Sequence, residues 1–168
     1  MCYAKPMKNK LTELSTIRAA SHADLPALER IIGAVELFPA EMLGDMIAPY
    51  LASDATAGEF WLTDDEDGPV GVAYCAPERL TDGTWNLLMI AVHPDRQRQG
   101  RGAALIGEVE RQVSQRGGRV VLIETSGLGS FEGQRALYKR LGYAEEARIR
   151  DFYERGNDKV VFWKSLAR

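Results

Sequence analysis

The sequence predicts a mixed α/β (α+β) fold in which one central sheet carries helices on both faces. Three observations predict it. Two hairpin signals, Asp67-Gly68 and Asp82-Gly83, separate apolar runs and require antiparallel pairing in the first half of the sheet. The apolar run 87–92 passes through a glycine loop into a helical pattern and then into a second apolar run, 119–125. Such a strand–helix–strand unit closes as a parallel crossover. A third hairpin signal, Glu154-Arg155-Gly156-Asn157, separates the last two runs.

Each element follows from its residues. Residues 1–13 carry Pro6, three lysines and little periodicity, and are expected to be an N-terminal tail or extension to one domain of residues 14–168. A first strand is expected over 16–20. Ser21 then caps a helix with Asp24 reaching back, Leu25, Leu28, Ile31 and Ile32 form its apolar face, and Gly33 is its expected end. After a break around Phe38, residues 42–51 read as a second helix with Met42, Met46, Ile47 and Tyr50 buried. Strands 59–63 and 70–76 flank the acidic turn Asp64, Asp65, Glu66, Asp67, which lacks the calcium-loop spacing and is expected to be solvated. A third strand covers 85–92. The helix 102–116 has Leu105, Ile106, Val109 and Val113 on one face and stops at Gly117-Gly118. Strand 119–125, a loop over 127–133, a short helix 134–141 stopped by Gly142, and strands 144–152 and 159–164 complete the chain. The expected order is β-α-α-β-β-β-α-β-α-β-β.

Composition bounds the function. The 168 residues are 45% hydrophobic and 27% charged, globular values for one domain. A formal charge of −3 argues against general attraction to nucleic acid or to an anionic membrane. Two cysteines, Cys2 and Cys75, make neither a disulfide framework nor a zinc site, and no metal is expected. No run is long and apolar enough for a membrane span or a signal peptide, so a cytoplasmic protein is expected.

The chemistry concentrates after residue 92. Pro94 closes the strand, and Gln97, Arg98, Gln99, Gly100, Arg101, Gly102 and Ala103 lead into the helix. A helix starting in such a loop presents unpaired N–H groups and the positive end of its dipole. Glycine permits close approach of a ligand. Arg96, Arg98 and Arg101 add positive charge to a mildly acidic protein. This is a site for the pyrophosphate of a small ligand. No Gly-Lys-Ser/Thr follows, and the third glycine of the dinucleotide fingerprint is Leu105 here, so neither of those patterns applies.

The run Ile90-Ala91-Val92, then Pro94, then Gln97-x-x-Gly100-x-Gly102, closely resembles the coenzyme A loop of the GNAT acetyltransferase superfamily. A second segment, Gln134-Arg-Ala-Leu-Tyr138-Lys-Arg-Leu-Gly-Tyr143, is similar to the helix of that superfamily that carries a tyrosine and ends in Leu-Gly-Phe/Tyr. The resemblance runs from Ile17 to Lys164 and implies a GNAT-type sheet, splayed between its two central strands. It departs at Phe131, where many members have a cofactor-contacting asparagine.

That resemblance implies acetyl transfer from acetyl-CoA directly to a primary amine of a small molecule or protein. Backbone N–H groups of Ile90, Ala91 and Val92 would hold the thioester oxygen where negative charge develops. Tyr138 would protonate the leaving thiolate, and Glu124, directly or through water, would help deprotonate the amine. Because the helix of Tyr138 follows the strand of Glu124, both are expected to face one opening. Phe38, Phe152 and Tyr153 are expected to wall an acceptor pocket. His93 and Cys75 read as structural. The expected partners are acetyl-CoA and an amine, without nucleic acid or membrane, with a homodimer left open. Two other readings stay open: a catalytically silent coenzyme A-binding regulatory module, and an unrelated nucleotide-binding α/β protein.

Overall fold

The computed structural model describes residues 15–53 and 58–166. The tail expected over 1–13, and Cys2 within it, lie outside these residues. Seven strands form one sheet: β1 (Ile17–Ala19), β2 (Phe60–Asp65), β3 (Pro69–Pro77), β4 (Thr84–Val92), β5 (Val120–Ser126), β6 (Ala144–Glu154) and β7 (Asn157–Ser165). Their spatial order is β1-β2-β3-β4-β5-β7-β6. Every pairing is antiparallel except β4 with β5, which is parallel. The expected mixed sheet is therefore present, and the crossover places β5 beside β4.

Among the described residues, four helices cover the two faces. On one face α1 (Leu25–Val35) and α2 (Leu43–Ala52) pack Leu28, Ile31, Ile32, Leu43 and Ile47 against Trp61, Val72, Met89 and Ala91. On the other, α3 (Arg101–Gln115) and α4 (Glu132–Arg140) pack Leu105, Ile106, Val109, Val113 and Tyr138 against Phe60, Ala73, Trp85, Val121, Ile123 and Phe162. The α3 face matches its sequence periodicity residue for residue.

Two helix expectations are corrected. Helix α1 does not end at Gly33 but runs to Val35, where Glu36 takes the left-handed conformation (φ 52°). In α2 the buried positions are Leu43 and Ile47, while Met42 and Met46 are 50% and 37% exposed. Of the stripe read off the sequence, Ile47 is buried as expected and Tyr50 is half-buried, while the two methionines turn outward; a 3-10 turn over Ala40–Met42 precedes α2.

Strand β4 contains an irregularity that positions the site. Tyr74 opposes Met89, but Cys75 opposes Leu87, so Leu88 is an extra residue in β4. Trp85 and Leu87 lie in the α3-side core, whereas Met89 and Ala91 lie in the α1-side core. A regular strand would keep all four on one face; the bulge flips the phase and bends the strand. Pairing of β4 with β5 runs from Thr84–Val120 to Leu87–Ile123 and stops there. Beyond it β5 continues against β7 alone, from Glu124 to Ser126. The two central strands thus part at the bulge and leave a V-shaped opening.

Candidate active site

The opening exposes backbone donors. The His93 N–H donates to the Val70 carbonyl at 2.8 Å. In an antiparallel ladder alternate residues face the same neighbour, so the Ala91 amide also points at β3. The Ile90 and Val92 amides then point the other way, where β5 has diverged. Of the three backbone positions named from the sequence, the register turns Ile90 and Val92 towards the opening and Ala91 away from it. Gln97 closes the strand end, its Nε2 donating to the Val92 carbonyl at 3.0 Å.

The glycine loop follows directly. A 3-10 turn, Pro94–Arg96, carries the chain to Gln97, with His93 Nδ1 accepting from the Asp95 amide at 3.3 Å, the structural role expected of that imidazole. Arg98 and Gly100 are both left-handed (φ 58° and 78°), and α3 begins at Arg101. The Gln97 amide donates to the Pro94 carbonyl at 3.3 Å, and the next amide engaged by a protein carbonyl is that of Ala104, bonded to Gly100 at 3.0 Å. The amides of Arg98, Gln99, Gly100, Arg101, Gly102 and Ala103 take no carbonyl among the described residues. Together with the N-terminal dipole of a 15-residue helix they form an anion cradle. Gly100 is required by its positive φ. Gly102 is not: its backbone is helical, and an added Cβ would meet only Leu137 Cδ2 at an ordinary 3.6 Å. What glycine leaves open there is the approach from solvent. The residues present therefore fit a pyrophosphate.

The arginines behave differently from the sequence expectation. Arg96 is bonded to Glu66 at 2.8 Å. Arg101 is bonded to Asp64 at 2.9 Å and, more closely, to Glu66, and is only 13% exposed. Arg98 alone of the three has no carboxylate partner among the described residues. The acidic run is exposed at the turn residues Glu66 and Asp67, as expected, but Asp64 is buried, Asp65 pairs with Arg18, and Glu66 pairs with Arg96 and Arg101. It clamps the β2–β3 turn onto the glycine loop. The signal available beforehand was the run of acids itself, read without its partner.

The two catalytic side chains expected to face one opening lie on opposite faces of the sheet. Tyr138 is buried in the α3-side core, edge-on to Phe162 (5.4 Å between centroids) and Tyr143 (6.5 Å). Burial pushes its phenol up to about 12, and its hydroxyl has no hydrogen-bond partner among the described residues. Tyr143 by contrast donates to Glu110 Oε1 at 3.0 Å. On β5, Ile123 points to Tyr138, so Glu124, its neighbour in a period-two strand, points to the α1 side. The Glu124 carboxylate is 30% exposed. Its Oε2 lies 2.6 Å from Lys159 Nζ, and its Oε1 accepts from Asn86 Nδ2 at 3.4 Å. Lys159 also sits 3.7 Å above the ring of Phe152. Neither Lys159 nor Asn86 stood out in the sequence, where nothing marks a cross-strand partner. Phe131 caps α4 at the far side of the opening, and Arg135 ties that loop down through the Ser126 and Leu128 carbonyls at 2.6 and 2.8 Å. Cys75 is fully buried, its thiol pushed up to about 12 by burial, as a core residue should be.

Among the described residues no helix is long and apolar enough to cross a membrane, and no cluster of His, Cys, Asp or Glu fits a metal ion. A search of curated proteins finds no match. A family model described as an acetyltransferase (GNAT) domain matches residues 56–145. The fold is similar to that of a GNAT-family protein from Desulfovibrio desulfuricans, with 31% identity over 90% of this chain and 98% of that one and a TM-score of 0.83. It is also similar to a Salmonella typhimurium protein solved with its cofactor acetyl-CoA (21% identity, 90% and 94% covered, TM-score 0.76). A third similar structure is the ribosomal-protein-S18-alanine N-acetyltransferase of Escherichia coli (24% identity, 90% and 94% covered, TM-score 0.71). With the family model spanning more than half the chain and a relative this similar along its whole length, the chain belongs to the GNAT acetyltransferase family.

Proposed function

We propose that the protein is a single-domain N-acetyltransferase, residues 14–168, that transfers the acetyl group of acetyl-CoA directly to a primary amine. The observation that carries this is the continuity of the V-shaped opening with the amide cradle. Two sets of backbone donors, Ile90 with Val92 and Arg98–Ala103, flank the Pro94–Arg96 turn. The loop end suits the pyrophosphate. The strand end suits a thioester carbonyl, whose oxygen gains negative charge as the amine attacks. Acetyl-CoA bound in the related Salmonella structure supports the choice of donor.

In this reading Tyr138 supplies a proton to the coenzyme A thiolate from the α3 side. Glu124 faces the acceptor from the α1 side and draws the proton from the attacking amine, directly or through water. The carbon–sulfur bond breaks, the carbon–nitrogen bond forms, and the proton lost by the amine balances the one gained by the thiol. The ion pair between Glu124 and Lys159 favours one second reading, a coenzyme A-binding module without catalysis, because a carboxylate oxygen engaged by an ammonium is not free to take a proton.

One experiment separates the two. Calorimetry with coenzyme A tests the cradle, and thiol release from acetyl-CoA across an amine panel tests transfer. Binding together with amine-dependent thiol release is expected. Binding without release from any amine would leave the silent module.

A further inference from the structure

A cavity of about 550 Å³ lies on the α1 side of the sheet, beside the opening. It is lined by Glu59, Tyr74, Glu78, Asn86 and Leu88, with Ala76, Pro77 and the exposed Arg79 completing the wall. Leu88 is the bulge residue of β4, so the cavity begins where the strands part. Tyr74 is stacked on Trp61 (centroids 4.2 Å apart) and gives its hydroxyl proton to Glu59 Oε2 at 2.6 Å. Burial and Glu59 hold that phenol well above its ordinary range, so its hydrogen stays engaged. Asn86 Nδ2 gives its hydrogens to Glu78 Oε1 at 2.8 Å and to Glu124 Oε1 at 3.4 Å. Apart from the solvated Arg79, the side-chain donors of this wall are committed.

What remains open are acceptors. Glu59 and Glu78 have no cationic partner among the described residues, in contrast to Glu124, which has Lys159. Asn86 is only 3% exposed and meets Glu78 through its amide nitrogen, while its Oδ1 is buried away from the cavity. Two carboxylates without an ion-pair partner among the described residues, on a wall whose one cation is the exposed Arg79, suit a ligand made of donors and positive charge, an ammonium group. One amide nitrogen spans Glu78 and Glu124, so a cation held at Glu78 stands one short spacer from the carboxylate proposed to deprotonate the acceptor.

We propose that the acceptor is a small dication, an amine carrying a second ammonium. The reacting nitrogen lies at Glu124, and the second charge is held by Glu78 and Glu59. The identity of the reacting nitrogen rests on the acetyl-transfer reading above; the binding of a dication does not.

The test uses 1,4-diaminobutane and 1-aminobutane as probes of matched length. Calorimetry on the coenzyme A-loaded protein should show the diamine binding at least about tenfold tighter, the size expected of a partly desolvated charge contact. The Glu59→Gln, Glu78→Gln double variant keeps the side-chain shapes. It should bind coenzyme A as the parent does and lose most of that preference. Equal binding of the two probes, or a preference surviving in the double variant, would overturn the proposal. A diamine preference without thiol release would sustain the dication site and sink acetyl transfer. Thiol release without a diamine preference would do the reverse.

Discussion

At the scale of single residues, the site divides into groups whose chemistry is set by burial and groups set by a partner. Tyr138 belongs to the first: desolvation holds its phenol protonated, up to about 12, and nothing else among the described residues uses the hydroxyl. Tyr138→Phe keeps the ring contacts with Phe162 and Tyr143 and removes only the hydroxyl proposed to donate the proton. It should lower kcat by about 10²-fold or more and leave acetyl-CoA binding nearly unchanged. Turnover equal to the parent would assign the proton to solvent. Gly102 tests the cradle. Its Cβ would be tolerated by Leu137, so Gly102→Val should fold, yet coenzyme A affinity in calorimetry should fall steeply because the added methyls occupy the phosphate approach. Unchanged affinity would remove the pyrophosphate from this loop. The glycines and Tyr138 were legible in the sequence because motif spacing fixes them on their elements. The fate of Arg96 and Arg101 was not: a sequence displays charges, but only the folded β2–β3 turn brings Asp64 and Glu66 against them.

At the scale of elements, hairpin signals and helical periodicity carried nearly the whole fold, since each depends on neighbours in the chain. The β4 bulge did not show, because the run Leu87-Leu88-Met89-Ile90 is apolar throughout and hides a change of phase. Longer contacts also fix how the first strand meets the first helix. Arg18 of β1 grips Asp24 through both carboxylate oxygens, at 2.7 and 2.8 Å, and Asp24 also accepts from the Ser21 amide and hydroxyl. Arg18 foremost, with the Ser21 donors, holds the Asp24 carboxyl down at about 2, against 3.8 ordinarily. The folded form is therefore favoured by ionisation of Asp24. That stabilisation is complete above roughly pH 4 and is lost as pH falls through about 2. Asp24→Asn should cost about 1–3 kcal/mol in urea melts at neutral pH, the range for hydrogen bonds to a charged group, with half-exposed Arg18 keeping it towards the lower end. The gap between variant and parent should close as melts are repeated towards pH 2. A gap independent of pH would mean that shape, not charge, is what Asn fails to supply.

At the scale of the whole molecule, the sheet is a partition with one gap, and the order of events follows from what stands on each side. The amide cradle and Tyr138 lie on the α3 side with the loop that begins α3; Glu124 and the acidic cavity lie on the α1 side. In the proposed transfer, a donor threaded through the gap from one side and an amine seated on the other are present together, and their reacting atoms meet between Leu88 and Glu124. A covalent acetyl-protein would instead need a nucleophile at the gap. Cys75, the free cysteine of the described residues, is fully buried among Phe60, Ala73 and Leu87, and its thiol is pushed up to about 12, so almost no thiolate exists at neutral pH. Initial rates measured against both substrates should therefore give intersecting double-reciprocal lines, the pattern of a ternary complex. Coenzyme A should compete with acetyl-CoA and not with the amine. Mass spectrometry of the protein after incubation with acetyl-CoA alone should show no stoichiometric gain of an acetyl group. Parallel lines together with such a gain would require an acetylated intermediate and would contradict direct transfer across the gap.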